Sequence, residues 1–192
     1  MSNKATTCAT VLLTKDRQDI LMGSITLSRN KFDLPKGRAE PNESHLDAAI
    51  RELKEETGLI ISATEYEEYL PFSLQNYSYN HEKNISIFFL YDKDGVWLKD
   101  LSQLKCNSYF RKKNGRIESC QAPEFEEDSH NIFPEFTGYA LFNPHQFMHS
   151  EKQSNIFLNK PMAKIFLDQN FKYRFHVFMR YVRENYGKMK NK

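Results

Sequence analysis

A glycine loop followed by an acidic helix, residues 37–59, is the sequence feature that most restricts how this chain folds. Apolar residues recur there at three- and four-residue spacing, which predicts a helix over residues 44–57. Asn42 or Ser44 can cap its start, and Gly58 can end it. We therefore expect one helix of about four turns, held between a tight loop and a sharp stop.

The two sides of this predicted helix differ in chemistry. Successive residues lie about 100° apart, so one arc carries the apolar side chains Leu46, Ala49, Ile50 and Leu53. The neighbouring arc carries Glu52, Glu55 and Glu56. Two carboxylates about 4 Å apart repel by roughly 1 kcal/mol in water and about 4 kcal/mol at an effective dielectric near 20. A crowded, partly enclosed cluster therefore favours a bound cation.

Hard oxygen ligands of this kind suit Mg²⁺ or Mn²⁺, and Mg²⁺ usually completes its coordination with water and phosphate oxygens. The backbone at Lys36 and Gly37 can add a carbonyl ligand or approach a phosphate closely. Arg51 lies one turn before Glu55 and can orient its carboxylate. An acidic helix face is often only a solvated surface, but this spacing predicts a phosphate-processing site.

The residues of this stretch follow the pattern G-x5-E-x7-R-E-U-x-E-E-x-G-U, where U is aliphatic. The matching residues are Gly37, Glu43, Arg51, Glu52, Leu53, Glu55, Glu56, Gly58 and Leu59. The chain therefore resembles the Nudix hydrolases. That resemblance implies an α/β fold, an α/β/α sandwich with a mixed β-sheet. It also implies Mg²⁺-dependent hydrolysis of a diphosphate bond in a nucleoside diphosphate linked to another group.

The resemblance also implies roles for single residues. The expected metal ligands are Glu52, Glu55 and Glu56, with a carbonyl from Lys36 or Gly37. Arg51 and Glu43 are expected to hold the loop against the helix. The general base stays open between Glu52, Glu55 and a glutamate of a later loop, for which the candidates are Glu118, Glu124, Glu126, Glu127 and Glu135.

The substrate is less constrained than the reaction. The run Pro35-Lys36-Gly37 resembles a form found in dinucleoside polyphosphate hydrolases, diphosphoinositol polyphosphate hydrolases and mRNA-decapping members. Tyr77 lies 18 residues after Leu59, close to a tyrosine that stacks on a base in the first group, although a half-buried strand tyrosine is equally consistent. We expect Lys36, Arg38 and Tyr77 to bind substrate.

These signals favour a dinucleoside polyphosphate, such as diadenosine tetraphosphate, or a diphosphoinositol polyphosphate as substrate. Hydrolysis at RNA 5′ ends or caps is the main alternative. The basic residues Lys112, Lys113 and Arg116, and others in the C-terminal tail, could bind an RNA backbone or solvate the surface. A nucleotide-sensing or RNA-binding module with little catalysis is the alternative from another class. Dimerisation is common in the family, so a homodimer is possible.

Outside the acidic helix, alternation and β-branched residues predict strands at 6–13 and 20–23, a short strand ending at Pro35, and a strand at 136–142. Residues 59–80 and 84–92 look like paired strands. Residues 93–134 are polar and predict an inserted loop or irregular hairpin. A final helix is expected at about 161–186. We expect residues 1–192 to form a single domain.

The remaining composition excludes little. The formal net charge of +2 does not by itself indicate nucleic acid. Three scattered cysteines, Cys8, Cys106 and Cys120, favour structural thiols in a reducing compartment. The start lacks the apolar run of a signal peptide, and no segment is apolar enough to cross a bilayer, which favours a cytoplasmic protein without a membrane partner. His145, His149 and His176 show no metal-ligand spacing with cysteines and are expected to be surface or packing residues.

Overall fold

The fold centres on a mixed β-sheet in a computed structural model that describes residues 5–28, 30–78, 83–120 and 131–187. The strand order is β10-β2-β1-β6-β5, with β3 paired to β2 and β4 paired to β1. Only the central pair, β1 and β6, is parallel among these described strands. The strands are β1 (Ala5–Leu13), β2 (Ile20–Ile25), β3 (Phe32–Asp33), β4 (Lys36–Arg38), β5 (Leu74–Ser78), β6 (Lys83–Tyr91) and β10 (Phe136–Phe142).

Helices cover both faces of this sheet, as the α/β/α prediction requires. On one face, His45 contacts Ser86 of β6, and the buried hydroxyl of Tyr66 lies 3.0 Å from Thr10 Oγ1 of β1. On the other, Phe89 stacks on Phe178 with ring centroids 5.0 Å apart. The first face is covered by α1 (His45–Thr57) and α2 (Ala63–Glu67), and the second carries α3 (Pro144–Met148), α4 (Glu151–Phe157), α5 (Lys160–Leu167) and α6 (Gln169–Tyr186).

The acidic helix forms where the sequence predicts it. Ser44 is its N-cap, and the Ser44 hydroxyl accepts a hydrogen bond from the Asp47 backbone at 3.1 Å. Gly58 ends the helix in the left-handed region at φ 76°, and its N–H donates to the Lys54 carbonyl at 2.8 Å. Of the two candidate N-caps, Asn42 and Ser44, the structure therefore uses Ser44. The apolar arc buries Ala49 and Leu53 against β1.

The strand prediction for residues 59–73 is wrong. This segment forms α2 and a 3₁₀ helix (Leu70–Phe72), and strand β5 begins only at Leu74. Both Tyr66 and Tyr69 are buried: the Tyr66 hydroxyl lies 3.0 Å from Thr10 Oγ1 of β1, and the Tyr69 ring packs edge-on against Phe178 of α6. Burial of these two rings therefore outweighs the β-propensity of the segment.

The predicted C-terminal helix is two helices. Asp168 adopts an extended backbone (φ −69°, ψ 137°) between α5 and α6, and its carboxylate accepts hydrogen bonds from the backbone of Asn170 and Phe171. This N-cap satisfies the first donors of a new helix, which explains the break. The apolar stripe of α6, including Phe171 and Phe175, is then fully buried against the sheet.

Residues 93–134 are more regular than predicted. A 3₁₀ helix (Leu101–Gln103) precedes a second antiparallel sheet of β7 (Tyr109–Lys113), β8 (Arg116–Cys120) and β9 (Ile132–Pro134). Asn114 and Gly115 join β7 to β8 with φ of 51° and 75°. Asn-Gly is the favoured pair for such a two-residue turn, so the hairpin is specified despite its polarity. No helix in the described residues is both long and apolar enough to span a bilayer.

Candidate active site

Arg51 joins the loop before α1 to the helix itself. Its Nε lies 2.8 Å from Glu43 Oε1, and its Nη2 lies 3.0 Å from Glu43 Oε2, a two-point ion pair. Nη2 also donates to the Arg38 carbonyl at 2.9 Å. Hydrogen bonding from Arg51 lowers the pKa of Glu43. The guanidinium group therefore fixes the loop and keeps its carboxylate charged.

The same guanidinium contacts two of the helix carboxylates. Arg51 Nη1 lies 2.7 Å from Glu52 Oε1 and 3.1 Å from Glu55 Oε2. Glu52 is only 8% exposed, and burial raises the pKa of its carboxyl group to about 7 although Arg51 opposes the shift. The charges of Glu55 and Glu135 add to the rise. One arginine therefore does not neutralise this group of carboxylates.

Glu56 is the most enclosed member of the cluster, at 2% exposure. Its Oε2 accepts a hydrogen bond from the Lys36 backbone N–H at 2.7 Å. Burial raises the pKa of Glu56, with Lys36 opposing and Glu135 and Glu52 reinforcing the rise. The Tyr139 hydroxyl donates to the Glu56 carbonyl, which fixes this turn of α1 to β10.

Gly37 makes room for the cluster. A Cβ atom at this position would lie 1.9 Å from Glu52 Oε1 and 2.0 Å from its carboxyl carbon. Gly37 pairs with Cys8 across β4 and β1, so its backbone is held at this distance. Any side chain here would displace the Glu52 carboxylate. The glycine therefore lets the backbone approach the acidic face of α1 directly.

The Lys36 side chain pairs with Asp33, which Asn159 also contacts. Its Nζ lies 2.7 Å from Asp33 Oδ2, and the Asn159 side-chain amide donates to the same buried carboxylate. Asn159 Oδ1 also accepts from the Met162 backbone at 2.9 Å as the N-cap of α5. Sequence reasoning missed Asp33 and Asn159. An Asn before Lys-Pro signals a helix start, but nothing local predicts a partner 126 residues away.

The other candidate residues lie in different places. The charge of Glu135 acts on Glu52, Glu56 and Lys36, which places it beside the cluster. Glu118 is exposed on β8 opposite Arg111. Glu124, Glu126 and Glu127 lie outside the described residues.

The two remaining substrate candidates, Tyr77 and Arg38, have different surroundings. The Tyr77 hydroxyl donates to Asp168 Oδ2 at 2.6 Å, at the start of α6, which covers the other face of the sheet. Arg38 is exposed, and its backbone carbonyl accepts a hydrogen bond from Arg51. The structure thus groups the glutamates with Lys36 and Gly37 and leaves Tyr77 apart.

A cavity of about 790 Å³ lies at the C-terminal end of α1. Asn107 and Tyr139 are among its lining residues, and they hydrogen-bond the Glu55 and Glu56 carbonyls. Gly138 also lines it, and a Cβ there would meet nothing within 4 Å. This cavity, which borders the backbone of the last turn of α1, is large enough for a nucleoside-sized group.

The donor set fits a divalent metal. Carboxylate oxygens are hard ligands that suit Mg²⁺ and Mn²⁺, and Gly37 leaves the backbone close to them. Glu55 has 43% of its side chain exposed, so the cluster opens to solvent on that side. Clustered carboxylates with raised pKa values and too few cations are the arrangement that a bound cation stabilises.

Comparison with known proteins identifies the family of the chain. The sequence model described as NUDIX domain matches residues 4–160, most of the chain. The chain therefore belongs to the Nudix family and, with every signature position filled, is a pyrophosphohydrolase. Nudix enzymes act on small phosphorylated substrates and generally use divalent metals. Among curated protein sequences, none matches this chain significantly.

Solved structures resemble the fold at low sequence identity. One is a bifunctional NMN adenylyltransferase/ADP ribose pyrophosphatase from Francisella tularensis, complexed with AMP and a Mn ion, at TM-score 0.49 and 14% identity. The match covers 87% of this chain but only 41% of that protein. A MutT protein from Methanosarcina mazei Go1 matches at 0.45 and 15%, over 93% and 97% of the two chains. A NUDIX hydrolase from Nitrosomonas europaea matches at 0.45 and 16%, over 92% and 74%.

Proposed function

We propose that the protein hydrolyses a diphosphate bond in a nucleoside-diphosphate-linked small molecule, with Mg²⁺ or Mn²⁺ held by Glu52, Glu55 and Glu56. The observation that carries this proposal is the concentration of carboxylates around Gly37, where burial raises the pKa of Glu52 to about 7. A carbonyl of Lys36 or Gly37 would complete the ligand set. Bound there, the metal would neutralise phosphate charge and lower the pKa of a water molecule.

The residues of the chain then have separate tasks. Arg51 contacts Glu52, Glu55 and Glu43, so it orients two ligands and the loop together. The proton of the attacking water goes to a carboxylate within reach. Glu52, Glu55 and Glu135 are the described candidates for this base, since Glu118 is exposed on the hairpin opposite Arg111.

A dinucleoside polyphosphate or diphosphoinositol polyphosphate is the substrate class we favour. The Pro35-Lys36-Gly37 run supports it, and so does the cavity at the C-terminal end of α1, which offers the rings of Tyr109 and Tyr139 for stacking. A leucine at position 138 would project into this cavity. Gly138→Leu should therefore raise KM several-fold for a dinucleoside substrate and leave metal binding unchanged.

An RNA 5′ end is the second candidate substrate. Lys112, Lys113 and Arg116 are exposed around the Asn114-Gly115 turn, which gives the hairpin a basic tip for a polyanion. This hypothesis predicts turnover of capped or 5′-triphosphorylated RNA that falls steeply with salt.

We also propose a cytoplasmic location, supported by the free thiols of Cys8, Cys106 and Cys120.

Product analysis tests the proposal. The protein is incubated with Mg²⁺ or Mn²⁺ and diadenosine polyphosphates, diphosphoinositol polyphosphates, ADP-ribose or capped RNA. Glu56→Gln should abolish metal-dependent turnover and leave the fold intact, whereas Glu67→Gln, at an exposed glutamate of α2, should have no effect. Near-normal activity in Glu56→Gln would refute the ligand assignment. Tight nucleotide binding without turnover of any substrate would instead support a nucleotide-sensing module with little catalysis.

A further inference from the structure

Three histidines meet in the helical layer on the face of the sheet opposite α1. His145 lies in α3, His149 is the C-cap of that helix, and His176 is in the middle of α6. One ligating atom of each lies within 4.8 Å of the others. The ring centroid of His145 lies 5.8 Å from that of His149 and 5.8 Å from that of His176.

The helices explain why these rings converge. His145 and His149 are four residues apart, a spacing that places both side chains on one side of a helical turn, and their ring planes are within 4° of parallel. His176 comes from the neighbouring helix, next to Phe175, whose ring contacts His145 edge-on. Because Phe175 is fully buried, the backbone positions of α6 and α3 are set by the core. The three imidazoles themselves are exposed to solvent.

Hydrogen bonding leaves one ring with a free lone pair. His176 Nδ1 lies 2.7 Å from the Lys172 carbonyl oxygen. A carbonyl only accepts, so Nδ1 carries the proton and Nε2 of the neutral ring keeps its lone pair. A backbone carbonyl bonded to the second nitrogen is the arrangement that fixes and supports metal-binding histidines. Desolvation lowers the pKa of His145, and the charges of His176, His149 and Arg183 lower it further.

We propose that His145, His149 and His176 form a second metal site, for a transition-metal ion such as Zn²⁺, separate from the glutamate site. Neutral imidazoles suit Zn²⁺, Cu²⁺ and Ni²⁺, whereas Mg²⁺ prefers oxygen. Tetrahedral Zn²⁺ with bonds of about 2.0 Å needs nitrogens roughly 3.4 Å apart. The ligating atoms, which lie within 4.8 Å of one another, must therefore approach by up to about 1.4 Å, and three protein ligands leave a fourth position for water.

The bound ion would join α3 to α6. Zn²⁺ that binds only the folded protein stabilises it by mass action. At about one hundred times the dissociation constant, we expect the melting temperature to rise by roughly 5 °C or more for a chain of this size. Such a site would brace the C-terminal helices without taking part in hydrolysis.

The test uses the full-length protein without a histidine tag, in excess Mg²⁺ so that the glutamate site is filled. We expect one equivalent of Co²⁺ to bind with the visible spectrum of a tetrahedral site, and Zn²⁺ to displace it. His176→Ala and, separately, His149→Ala should weaken Zn²⁺ binding more than about 100-fold, because losing even a group that supports a ligand costs roughly 10- to 100-fold. His45→Ala, which removes a histidine on the other face of the sheet, is the matched control.

Two further measurements make the result decisive. Glu56→Gln should bind Zn²⁺ at this site as the native protein does, which separates it from the proposed hydrolytic centre. Binding should weaken below about pH 6, where imidazoles protonate. Equal Zn²⁺ affinity in the native protein and in His176→Ala, with circular dichroism showing both folded, would overturn the proposal. So would the absence of a tetrahedral Co²⁺ spectrum.

Discussion

Burial raises the pKa of the Glu52 carboxyl group from an ordinary 4.5 to about 7, so the metal-free protein should lose stability as the pH rises. The folded state binds this proton more tightly than the unfolded state. Its contribution is therefore complete below about pH 4.5 and is lost as the pH passes through about 7. At about 1.36 kcal/mol for each unit, a difference of about 2.5 units corresponds to about 3 kcal/mol.

Other ionisable groups also change the free energy of unfolding with pH. The pKa values of Glu56 and Asp33 are also raised by burial and act in the same direction. The lowered pKa of His145 acts in the opposite direction, since its contribution is lost as the pH falls. The lowered pKa of Glu43 matters only below its ordinary value of 4.5. A comparison with Glu52→Gln isolates the Glu52 contribution from all of these.

The assay is urea unfolding of the metal-free native protein and of Glu52→Gln at several values between about pH 5 and pH 8. The free energy of unfolding of the native protein should fall by up to about 3 kcal/mol more than that of the variant. Glu67→Gln should follow the native protein. Excess Mg²⁺ should reverse the trend, because the metal binds the deprotonated carboxylates. Parallel pH curves for the native protein and Glu52→Gln without metal would refute this account of the cluster.

Three other substitutions follow from single contacts. Gly37→Ala should displace the Glu52 carboxylate and lower kcat by at least about 100-fold. Gly187→Ala, at a site with φ −73°, should leave turnover unchanged. Equal activity of both variants would argue against the close approach of the Gly37 backbone to Glu52. Asn159→Ala should reduce the free energy of unfolding by about 1–2 kcal/mol, measured by urea titration, through loss of a helix cap and of an Asp33 partner. Glu135→Gln should shift the acidic limb of the kcat profile to lower pH by removing a charge that raises the pKa values of Glu52 and Glu56; an unmoved limb would mean that Glu135 acts elsewhere.

The sequence predicts the acidic helix and its caps well because their signals are local. Ser44 and Gly58 cap the helix, and the three glutamates share one arc by helical spacing alone. The Asn114-Gly115 turn is also a local signal, although the polar hairpin around it was expected to be irregular. In these places backbone preference and side-chain pattern agree.

Contacts between distant parts of the chain could not be predicted in this way. Asn159 reaches Asp33 only after β3 and α5 have been placed side by side. Tyr77 was expected at the substrate, but strand alternation turns it towards Asp168 on the other face. His145 and His149 were expected to be surface or packing residues, and their four-residue spacing is a usable signal only once α6 brings His176 to them.

The loop before the helix is already in place when substrate arrives. Arg51 fixes it through Glu43 and the Arg38 carbonyl, and Glu43 in turn accepts from the Glu40 backbone at 2.9 Å. The conformational entropy of this segment is therefore lost during folding instead of during binding. An enzyme built this way can commit most of its affinity for the substrate to recognition, because little of it is consumed in ordering its own chain.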